Sequence, residues 1–416
     1  MKIALITNEY PTPEAPHVGT FARLNAQAIA TRHEVTVIHL RPEAVAGEET
    51  RYLDGAVTVR AYPNALRDAE DFEKAAVVIG LLAPGFDIIH TMTQRVLIPF
   101  GLNDRAGQKL GAAWVHSTAG KLETPGDWPE GVWPIEELLE LPDGLTAPAE
   151  VLLKAPRKVR FLGFTGVVPF VVPAPACAQG ADFPGFADVF GAFTPRPCVE
   201  GELRLVSVGS VTSKRQPEVA IRTVKTLRAM GVAASLTWVG EGAAKIRSQE
   251  KARELGVLDH IHFVSSESAG GAQAAIDAAD IFIGPSKEAE VFYLPLAQAL
   301  FSGRPAVLGP GAAHLEYLEP SVTRVVCETN SKFWAQACVD LQAATLEMSP
   351  VEVAARVAKK VAVSGSDARV EDGGGLDASG VGSGESEEIC AFSPAGVGRA
   401  FDAVYRETLS ASGWEE

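Results

Sequence analysis

Short apolar runs alternate with amphipathic segments along most of the chain. In the first half, the apolar runs are KIALITNEY (2–10), EVTVIHL (34–40), VTVRAYP (57–63), DIIHTMT (87–93) and AAWVHS (112–117). Helical spacing lies between several of them, at 21–31, before residue 87 and at 98–110. Near-continuous apolar strands separated by helices are typical of a parallel sheet that is covered on both faces. The first half is therefore predicted to form a doubly wound α/β domain.

The same alternation returns in the second half. Its apolar runs are LRLVSVGS (203–210), SLTWVG (235–240), HIHFVS (260–265), DIFIGPS (280–286) and PAVLG (305–309). Helices are predicted between them at 217–230, 243–255, 270–278 and 295–302. Two doubly wound Rossmann-like domains in tandem are expected to leave a cleft between them, with ligands beyond the carboxyl ends of the strands.

Changes in composition set the expected domain boundaries. Residues 1–185 are predicted to form an N-terminal domain, and a stretch rich in proline and glycine marks a linker at 186–202. The second domain is predicted to span 203–390, and within it residues 363–389 form a flexible insertion because they contain almost no large apolar side chain. Helical spacing returns in residues 391–416, which are expected to pack back on the N-terminal domain as a helix.

Length, charge and cysteine content narrow the class of protein. With 416 residues, 47% of them hydrophobic, the chain can build two cores. Its net charge of -15 argues against nucleic acid and anionic membranes as partners. The five cysteines are far apart and show no metal-ligand spacing, which argues against a disulfide framework and a zinc site. With no signal peptide or membrane span apparent, we expect a cytoplasmic protein with a small soluble partner.

One loop, PSKEAEVFYLPLAQAL at residues 285–300, combines acidic and aromatic residues with a proline that opens a predicted helix. The unpaired N–H groups of a helix start suit an anion, and Glu288 or Glu290 could accept hydrogen bonds from sugar hydroxyls. No Ser-His-Asp or Cys-His pair, Asp-x-Asp metal signature or complete GxGxxG fingerprint accompanies this loop. The GEG at 240–242 lacks the third glycine and the downstream acid, which disfavours a dinucleotide oxidoreductase.

Several further motifs occur in a fixed order. In the second half they are VGS followed by Lys214 and Arg215, WVGEG (238–242), LGVLDHIHFVS (255–265), AADIFIGPS (278–286) and SGRPAVLG (302–309). Looser matches in the first half are NEYP followed by Gly19, HEVTV (33–37), DIIH (87–90), WVHS (114–117) and VVPAPA (171–176). Together they resemble a retaining glycosyltransferase of the GT-B fold, of the family 4 type.

The resemblance implies roles for residues of the second domain. Glu290 would accept a hydrogen bond from a donor-sugar hydroxyl, with Glu288 as the alternative. Lys214 and Arg215 lie at or beside the position of a pyrophosphate lysine, and the helix that begins near Leu294 would add N–H donors to the same phosphates. The sequence departs from the pattern of this family at three places. Gln298 replaces a second glutamate, Ser210 replaces an arginine, and Val291, Phe292 and Tyr293 replace a glycine-rich turn. Ser210, Phe292, Tyr293 and Gln298 are still expected to line the donor site.

In the first domain, Gly19 would let the backbone approach the donor closely, although a simple turn glycine is the alternative. His116 ends a strand where the family has a histidine that contacts the donor sugar, and a structural histidine is the alternative. His17 and Trp128 are candidate acceptor contacts.

The resemblance implies a metal-independent enzyme that moves a sugar from a nucleoside diphosphate sugar, with UDP or GDP as the nucleotide, to a small soluble acceptor such as a specialised metabolite. The configuration at the anomeric carbon would be retained, with the leaving phosphate helping to remove the acceptor proton. No cofactor is expected beyond the donor substrate. Two alternatives stay open: a sugar-nucleotide epimerase or isomerase on the same scaffold, and a non-catalytic nucleotide-sugar-binding protein, which Ser210 and Gln298 would suit.

Overall fold

A computed structural model gives the fold in two compact units. It describes residues 1–12, 18–41, 49–64, 66–105, 110–118, 133–154, 161, 163–171, 201–265, 271–286, 293–311, 315–360, 362–363, 389–390 and 394–412. One unit is formed by Met1–Val171 with Ala362–Glu416, and the other by Val172–Val361. Each unit is built on one parallel or mainly parallel sheet with helices. The prediction of two doubly wound Rossmann-like domains is therefore confirmed.

The first unit has an eight-stranded sheet. Its strands are β1 (Lys2–Thr7), β2 (Glu34–Arg41), β3 (Thr50–Asp54), β4 (Val57–Pro63), β5 (Ile88–Thr91), β6 (Ala113–Ser117), β7 (Gly144–Ala147) and β8 (Phe164–Val167). They lie in the order β3-β4-β2-β1-β5-β6-β7-β8, and only β3 is antiparallel to its neighbour. The chain thus leaves β1 toward one edge of the sheet and returns at β5 to extend the other edge.

Helices cover both faces of this sheet. They are α1 (Thr20–Ala30), α2 (Ala69–Leu82), α3 (Leu97–Arg105), α4 (Ile135–Leu138) and α5 (Glu150–Leu153). The alternation along β1 shows the two faces, since Ile3 and Leu5 belong to one buried cluster and Ala4 and Ile6 to another. A strand buried on both faces needs apolar residues at nearly every position, which explains the continuous run in the sequence.

The second unit has a six-stranded sheet in which every pair is parallel. Its strands are β9 (Leu203–Val208), β10 (Ala234–Val239), β11 (Ile261–Val264), β12 (Ile281–Gly284), β13 (Ala306–Leu308) and β14 (Thr323–Val325). Its helices are α6 (Pro217–Ala229), α7 (Lys245–Glu254), α8 (Gly271–Ala278), α9 (Leu294–Phe301), α10 (Ser331–Thr345) and α11 (Pro350–Lys360). The strand order β11-β10-β9-β12-β13-β14 is that of a Rossmann sheet, with β9 and β12 at its centre.

Some elements of the structure were not predicted from the sequence. The edge strand β3 exposes most of its residues, so it lacks the buried alternation that marks a strand. Strands β7 and β8 are four residues long, and each contains a glycine. Helix α10 does carry a signal, because Trp334, Cys338 and Leu341 are buried at helical spacing.

The C-terminal helix α12 (Pro394–Ser412) packs against α1, β6 and β8 of the first unit. Its buried residues Val397, Phe401, Val404 and Tyr405 join the cluster that contains Ile3 and Leu5. Two short antiparallel strands, β15 (Ala362–Val363) and β16 (Ile389–Cys390), also belong to this unit, whereas the sequence had placed them in the second domain. The predicted insertion between them lies almost wholly outside the described residues.

A buried hydrogen-bonded chain fastens α12 to the sheet. His90 Nδ1 lies 2.7 Å from the Tyr405 hydroxyl, and His90 Nε2 lies 2.6 Å from Ser117 Oγ. Ser117 Oγ in turn lies 2.5 Å from Thr146 Oγ1. Burial lowers the pKa of His90 to about 3, so this imidazole is neutral near pH 7. His90 therefore has a structural role, as one of its two partners lies on α12.

Gly398 permits the close crossing of α12 and α1. A Cβ at this position would lie 2.4 Å from the carbonyl oxygen of Ala28 and 2.7 Å from Thr31 Oγ1. We expect Gly398→Ala to lower the free energy of unfolding by about 1 kcal/mol, because the clash outweighs the gain in helix propensity. Urea unfolding measures the change, with Arg399→Ala at the exposed neighbouring position as the control. A stabilised Gly398→Ala variant would contradict the close crossing.

The neutral, buried His90 predicts a pH-dependent stability. Its pKa in the folded state lies below the unfolded value of about 6.5, so its contribution is complete above pH 6.5 and is lost progressively as the pH falls toward 3. Between pH 6.5 and 5, we expect His90→Gln to flatten the pH dependence of the unfolding free energy by about 1.4 kcal/mol per pH unit. His262→Gln, at an exposed histidine, is the control. Equal slopes for the native protein and His90→Gln would refute this reading.

Candidate functional site

The centre of the second sheet is a topological switch point. Strands β9 and β12 pair in parallel, with Leu205 opposite Ile281 and Val206 opposite Phe282. The chain continues from β9 toward β10 and from β12 toward β13, which lie on opposite sides of this pair. In open α/β sheets, ligands bind in a crevice at the carboxyl ends of the strands at such a point, and the carboxyl ends of β9 and β12 are therefore the candidate site.

The loop after β9 is held by close backbone packing. A Cβ at Gly240 would lie 2.3 Å from the Gly209 carbonyl oxygen, and one at Gly242 would lie 2.4 Å from the carbonyl oxygen of Val211. Trp238 Nε1 donates to the same Gly209 carbonyl at 2.9 Å. The GEG of the sequence thus shapes the neighbouring loop, a role that sequence reasoning missed because it compared this motif only with a dinucleotide fingerprint.

Two cations follow this loop. Lys214 and Arg215 lie in a 3-10 turn, Ser213–Arg215, directly before α6. Lys214 is exposed, whereas Arg215 is half-buried, with its Cζ 4.3 Å from the centre of the Tyr293 ring. The structure thus brings together Arg215 and Tyr293, two residues predicted for the donor site, at the ends of β9 and β12.

Helix α6 begins without a side-chain cap. Gln216, its N-cap residue, has a left-handed backbone with φ 49° and ψ 54°, and Pro217 occupies the first turn. Pro217 has no N–H, and the Val219 N–H donates to the Gln216 carbonyl at 3.0 Å, so the Glu218 N–H is the first-turn group at which no side-chain cap competes with an anion. The uncapped helix start and the two cations lie next to each other in the chain.

Tyr293 lies at the start of α9 and is buried, with 6% of its surface exposed. Its hydroxyl donates to the carbonyl oxygen of Val208, the last residue of β9, and its ring meets Phe282 edge-on with 5.6 Å between ring centres. Burial raises the pKa of Tyr293, and the Arg215 guanidinium acts against that rise. Tyr293 therefore ties the β12 side of the crevice to the β9 side.

The remaining predicted donor residues are placed as follows. Ser210 is exposed directly after Gly209, and Leu294 is the half-buried first residue of α9. The half-buried side chain of Gln298 makes no hydrogen bond within the part of the chain that the structure describes. Glu290 and Phe292 lie outside the described residues, as does Glu288.

In the first unit, Gly19 is required by packing within the protein. It is the N-cap residue of α1 with φ 68°, and a Cβ there would lie 2.3 Å from the carbonyl carbon and oxygen of Glu9. Gly19 therefore packs against the loop after β1, and its predicted approach to the donor stays a prediction. His17 and Trp128, the predicted acceptor contacts, lie outside the described residues.

His116 is fully buried near the carboxyl end of β6. Its Nδ1 lies 2.9 Å from Thr91 Oγ1, and its Nε2 has no hydrogen-bond partner in the described part of the chain. Burial lowers the pKa of His116 to about 3, so the ring is neutral at physiological pH. A neutral ring could give or accept one hydrogen bond through Nε2, and the predicted contact with the donor sugar stays a prediction.

A small cavity lies near the carboxyl ends of β6 and β7. It has room for about one water molecule and is lined by Ser117, Thr146, Asn25 and Phe401 among others. Asn25 is buried, and its Oδ1 has no hydrogen-bond partner among the residues that the structure describes. The cavity can therefore hold one small hydrogen-bond donor.

Two further observations concern the predicted partners. No group of three or more His, Cys, Asp or Glu side chains that could hold a metal ion occurs among the residues with described positions. No helix within those same ranges has the length and apolar character needed to cross a membrane.

Comparisons with known proteins relate the second unit to one family. Residues 195–347 match the family model described as "Glycosyl transferases group 1". This range contains β9, β12 and the start of α6, and so covers the crevice. No curated protein matches the sequence.

Solved structures match both units. Sucrose-phosphate synthase from Thermosynechococcus elongatus is 14% identical, with a TM-score of 0.68 and 99% of each chain covered. Trehalose-6-phosphate synthase OtsA is 12% identical, with a TM-score of 0.63 over 98% of this chain and 99% of that one. Anabaena HepE, in complex with UDP and glucose, is 14% identical, with a TM-score of 0.60 over 86% of this chain and 95% of that one. The protein therefore has the GT-B fold, and residues 195–347 of its second unit match the model of glycosyl transferases group 1.

Proposed function

We propose that the protein is a retaining glycosyltransferase that moves a sugar from a nucleoside diphosphate sugar to a small soluble acceptor. The observation that carries the proposal is the meeting of Lys214, Arg215 and the uncapped start of α6 at the switch point of the second sheet. The group 1 domain, which covers these residues, supports transfer of a sugar over other uses of an anion site.

The proposed role of the cations follows from the chemistry of the leaving group. When the bond between sugar and diphosphate breaks, negative charge builds up on the phosphate oxygens. Positioned cations and N–H groups that stabilise this charge lower the barrier without a separate proton transfer. Lys214, which is exposed, and Arg215 would bind the diphosphate together with the Glu218 N–H at the start of α6.

The sugar and ribose would lie on the β12 side of the crevice. Glu290 is proposed to accept a hydrogen bond from a sugar hydroxyl, because an ionised carboxylate is a stronger acceptor than a neutral group. Gln298, on α9, is proposed to contact the ribose through its amide, and its side chain has no competing hydrogen bond among the described residues. Structures with the same fold hold such molecules, since HepE was solved with UDP and glucose.

The acceptor would be bound by the first unit, with His17 and Trp128 as candidate contacts and His116 near the sugar. Gly19 would act indirectly, by holding the start of α1 against the loop after β1. We propose a metal-independent reaction in which the leaving phosphate helps to remove the acceptor proton. The donor sugar is then the substrate, and no further cofactor is required.

The decisive experiment has two stages. A thermal-shift panel with UDP, GDP, ADP and the matching nucleosides is expected to show stabilisation by one diphosphate and much less by its nucleoside. The cognate nucleotide sugar is then incubated with a set of small hydroxylated acceptors, and the product is analysed by NMR. Transfer with an unchanged anomeric configuration supports the proposal. Conversion of the donor in the absence of an acceptor would show that the protein is an epimerase or isomerase. Nucleotide binding without turnover on any acceptor would show that it is a non-catalytic binding protein.

Removal of the carboxylate that is proposed to bind a hydroxyl of the donor sugar should slow the chemical step. We expect Glu290→Ala to reduce the rate of sugar transfer by about 100-fold, in line with the loss of a charged contact that strengthens in the transition state. Affinity for the free nucleoside diphosphate should change little. The control is Glu288→Ala, two residues earlier in the same loop. If Glu290→Ala transfers sugar at the native rate while Glu288→Ala does not, the register of the acidic contact is wrong.

Restoration of a carboxylate on α9 should strengthen nucleotide binding. We expect Gln298→Glu to tighten binding of the nucleoside diphosphate about fivefold, because a carboxylate can accept hydrogen bonds from both ribose hydroxyls with charge assistance. Isothermal titration with the ribonucleotide and its 2′-deoxy analogue measures the gain, which should disappear with the analogue. An equal gain for both nucleotides would show that residue 298 does not contact the ribose.

A further inference from the structure

Arg215 and Tyr293 meet at the carboxyl ends of β9 and β12. Ser210 stands where the resemblance places an arginine, and Tyr293 stands where it places a small residue of a glycine-rich turn. The second of these departures contacts a cation, since the guanidinium of Arg215 lies over the Tyr293 ring with Cζ 4.3 Å from its centre. A contact at this distance is a cation–π stack.

Tyr293 is unsuited to a direct contact with the donor through its hydroxyl. That hydroxyl already donates to the Val208 carbonyl, and only 6% of the residue is exposed. The ring is fixed further by its edge-on contact with Phe282. Tyr293 therefore contacts Arg215 through its ring.

Two small residues leave space for this pair. A Cβ at Gly209 would lie 3.2 Å from both Cζ and Nε of Arg215, and a Cβ at Gly284 would lie 3.2 Å from Cε1 of Tyr293. Both distances are tighter than ordinary van der Waals contacts. Gly209 and Gly284 follow or end the adjacent strands β9 and β12, so the space for the stack is built into the carboxyl ends of the central strand pair.

We propose that Tyr293 is a positioning residue, which holds the Arg215 guanidinium in a fixed plane at the crevice so that it binds the diphosphate in place of the cation missing at Ser210. This inference rests on the proposed function, because it names how that same site binds its anion. A free arginine side chain loses much rotamer freedom on binding, and a planar guanidinium that is already stacked loses less. A guanidinium carries five N–H donors and can bind phosphate oxygens through two of them at once.

Binding measurements on four variants test the proposal. UDP and GDP serve as probes, with uridine and guanosine as their phosphate-free counterparts, and isothermal titration gives the dissociation constants. Tyr293→Phe keeps the ring and removes the hydroxyl, Tyr293→Leu removes the ring, Arg215→Ala removes the cation, and the double variant Tyr293→Leu with Arg215→Ala removes both. Thermal unfolding reports the stability of each variant.

The expected pattern separates positioning from stability. Tyr293→Phe should lose thermal stability with the Val208 hydrogen bond, yet bind the diphosphate within about twofold of the native protein, because the ring face remains. Tyr293→Leu should weaken diphosphate binding by about tenfold and leave nucleoside binding unchanged. In the Arg215→Ala background, Tyr293→Leu should weaken diphosphate binding almost no further, since the effects of mutating two interacting residues do not add.

Three results would overturn the inference. The first is an equal loss of affinity for Tyr293→Phe and Tyr293→Leu. The second is a double variant whose loss of affinity equals the product of the two single losses. The third is an Arg215→Ala variant that binds the diphosphate as tightly as the native protein. Each of them leaves the proposed function standing if the native protein still binds a diphosphate and transfers sugar. A native protein that binds neither UDP nor GDP would overturn the proposed function and this inference together.

Discussion

The parallel pairing of β9 with β12 is the constraint on which the candidate site depends. Neighbouring parallel strands must be joined through crossovers, and here the crossovers leave in opposite directions along the sheet. The carboxyl ends of β9 and β12 thus mark the point where the direction of the chain along the sheet changes. Everything assigned to the crevice, from Lys214 on one side to Tyr293 on the other, owes its position to this pair.

The sequence was sufficient to predict both α/β domains because strands buried on two faces need continuous apolar runs, as in β1 and β9. It failed where that signal is weak, at the exposed edge strand β3 and at the four-residue strands β7 and β8. At the site, spacing along the chain indicated Arg215 and Tyr293 separately. Their stacking was not predictable, because it depends on the pairing of two strands about 80 residues apart in the sequence.

The site also shows that a glycine or histidine motif can serve the scaffold. Gly240 and Gly242, which follow β10, allow a close approach to Gly209 and Val211 in the loop after β9. Gly19 likewise allows the start of α1 to approach the loop after β1. His90 fastens α12 through its contact with the Tyr405 hydroxyl. A glycine motif or a buried imidazole is thus weak evidence for a ligand here, because both also satisfy needs of the fold itself.

The position of α12 has a consequence for synthesis of the chain. Val397, Phe401 and Tyr405 complete a core whose other members come from residues 1–171, so the first unit cannot close its core while only that early segment has left the ribosome. The second unit draws its sheet and helices from one continuous stretch and has no such requirement. During synthesis, the second unit should thus fold before the first. Until α12 is made, the segment 1–171 would leave apolar surface exposed, and such surface binds chaperones and promotes aggregation.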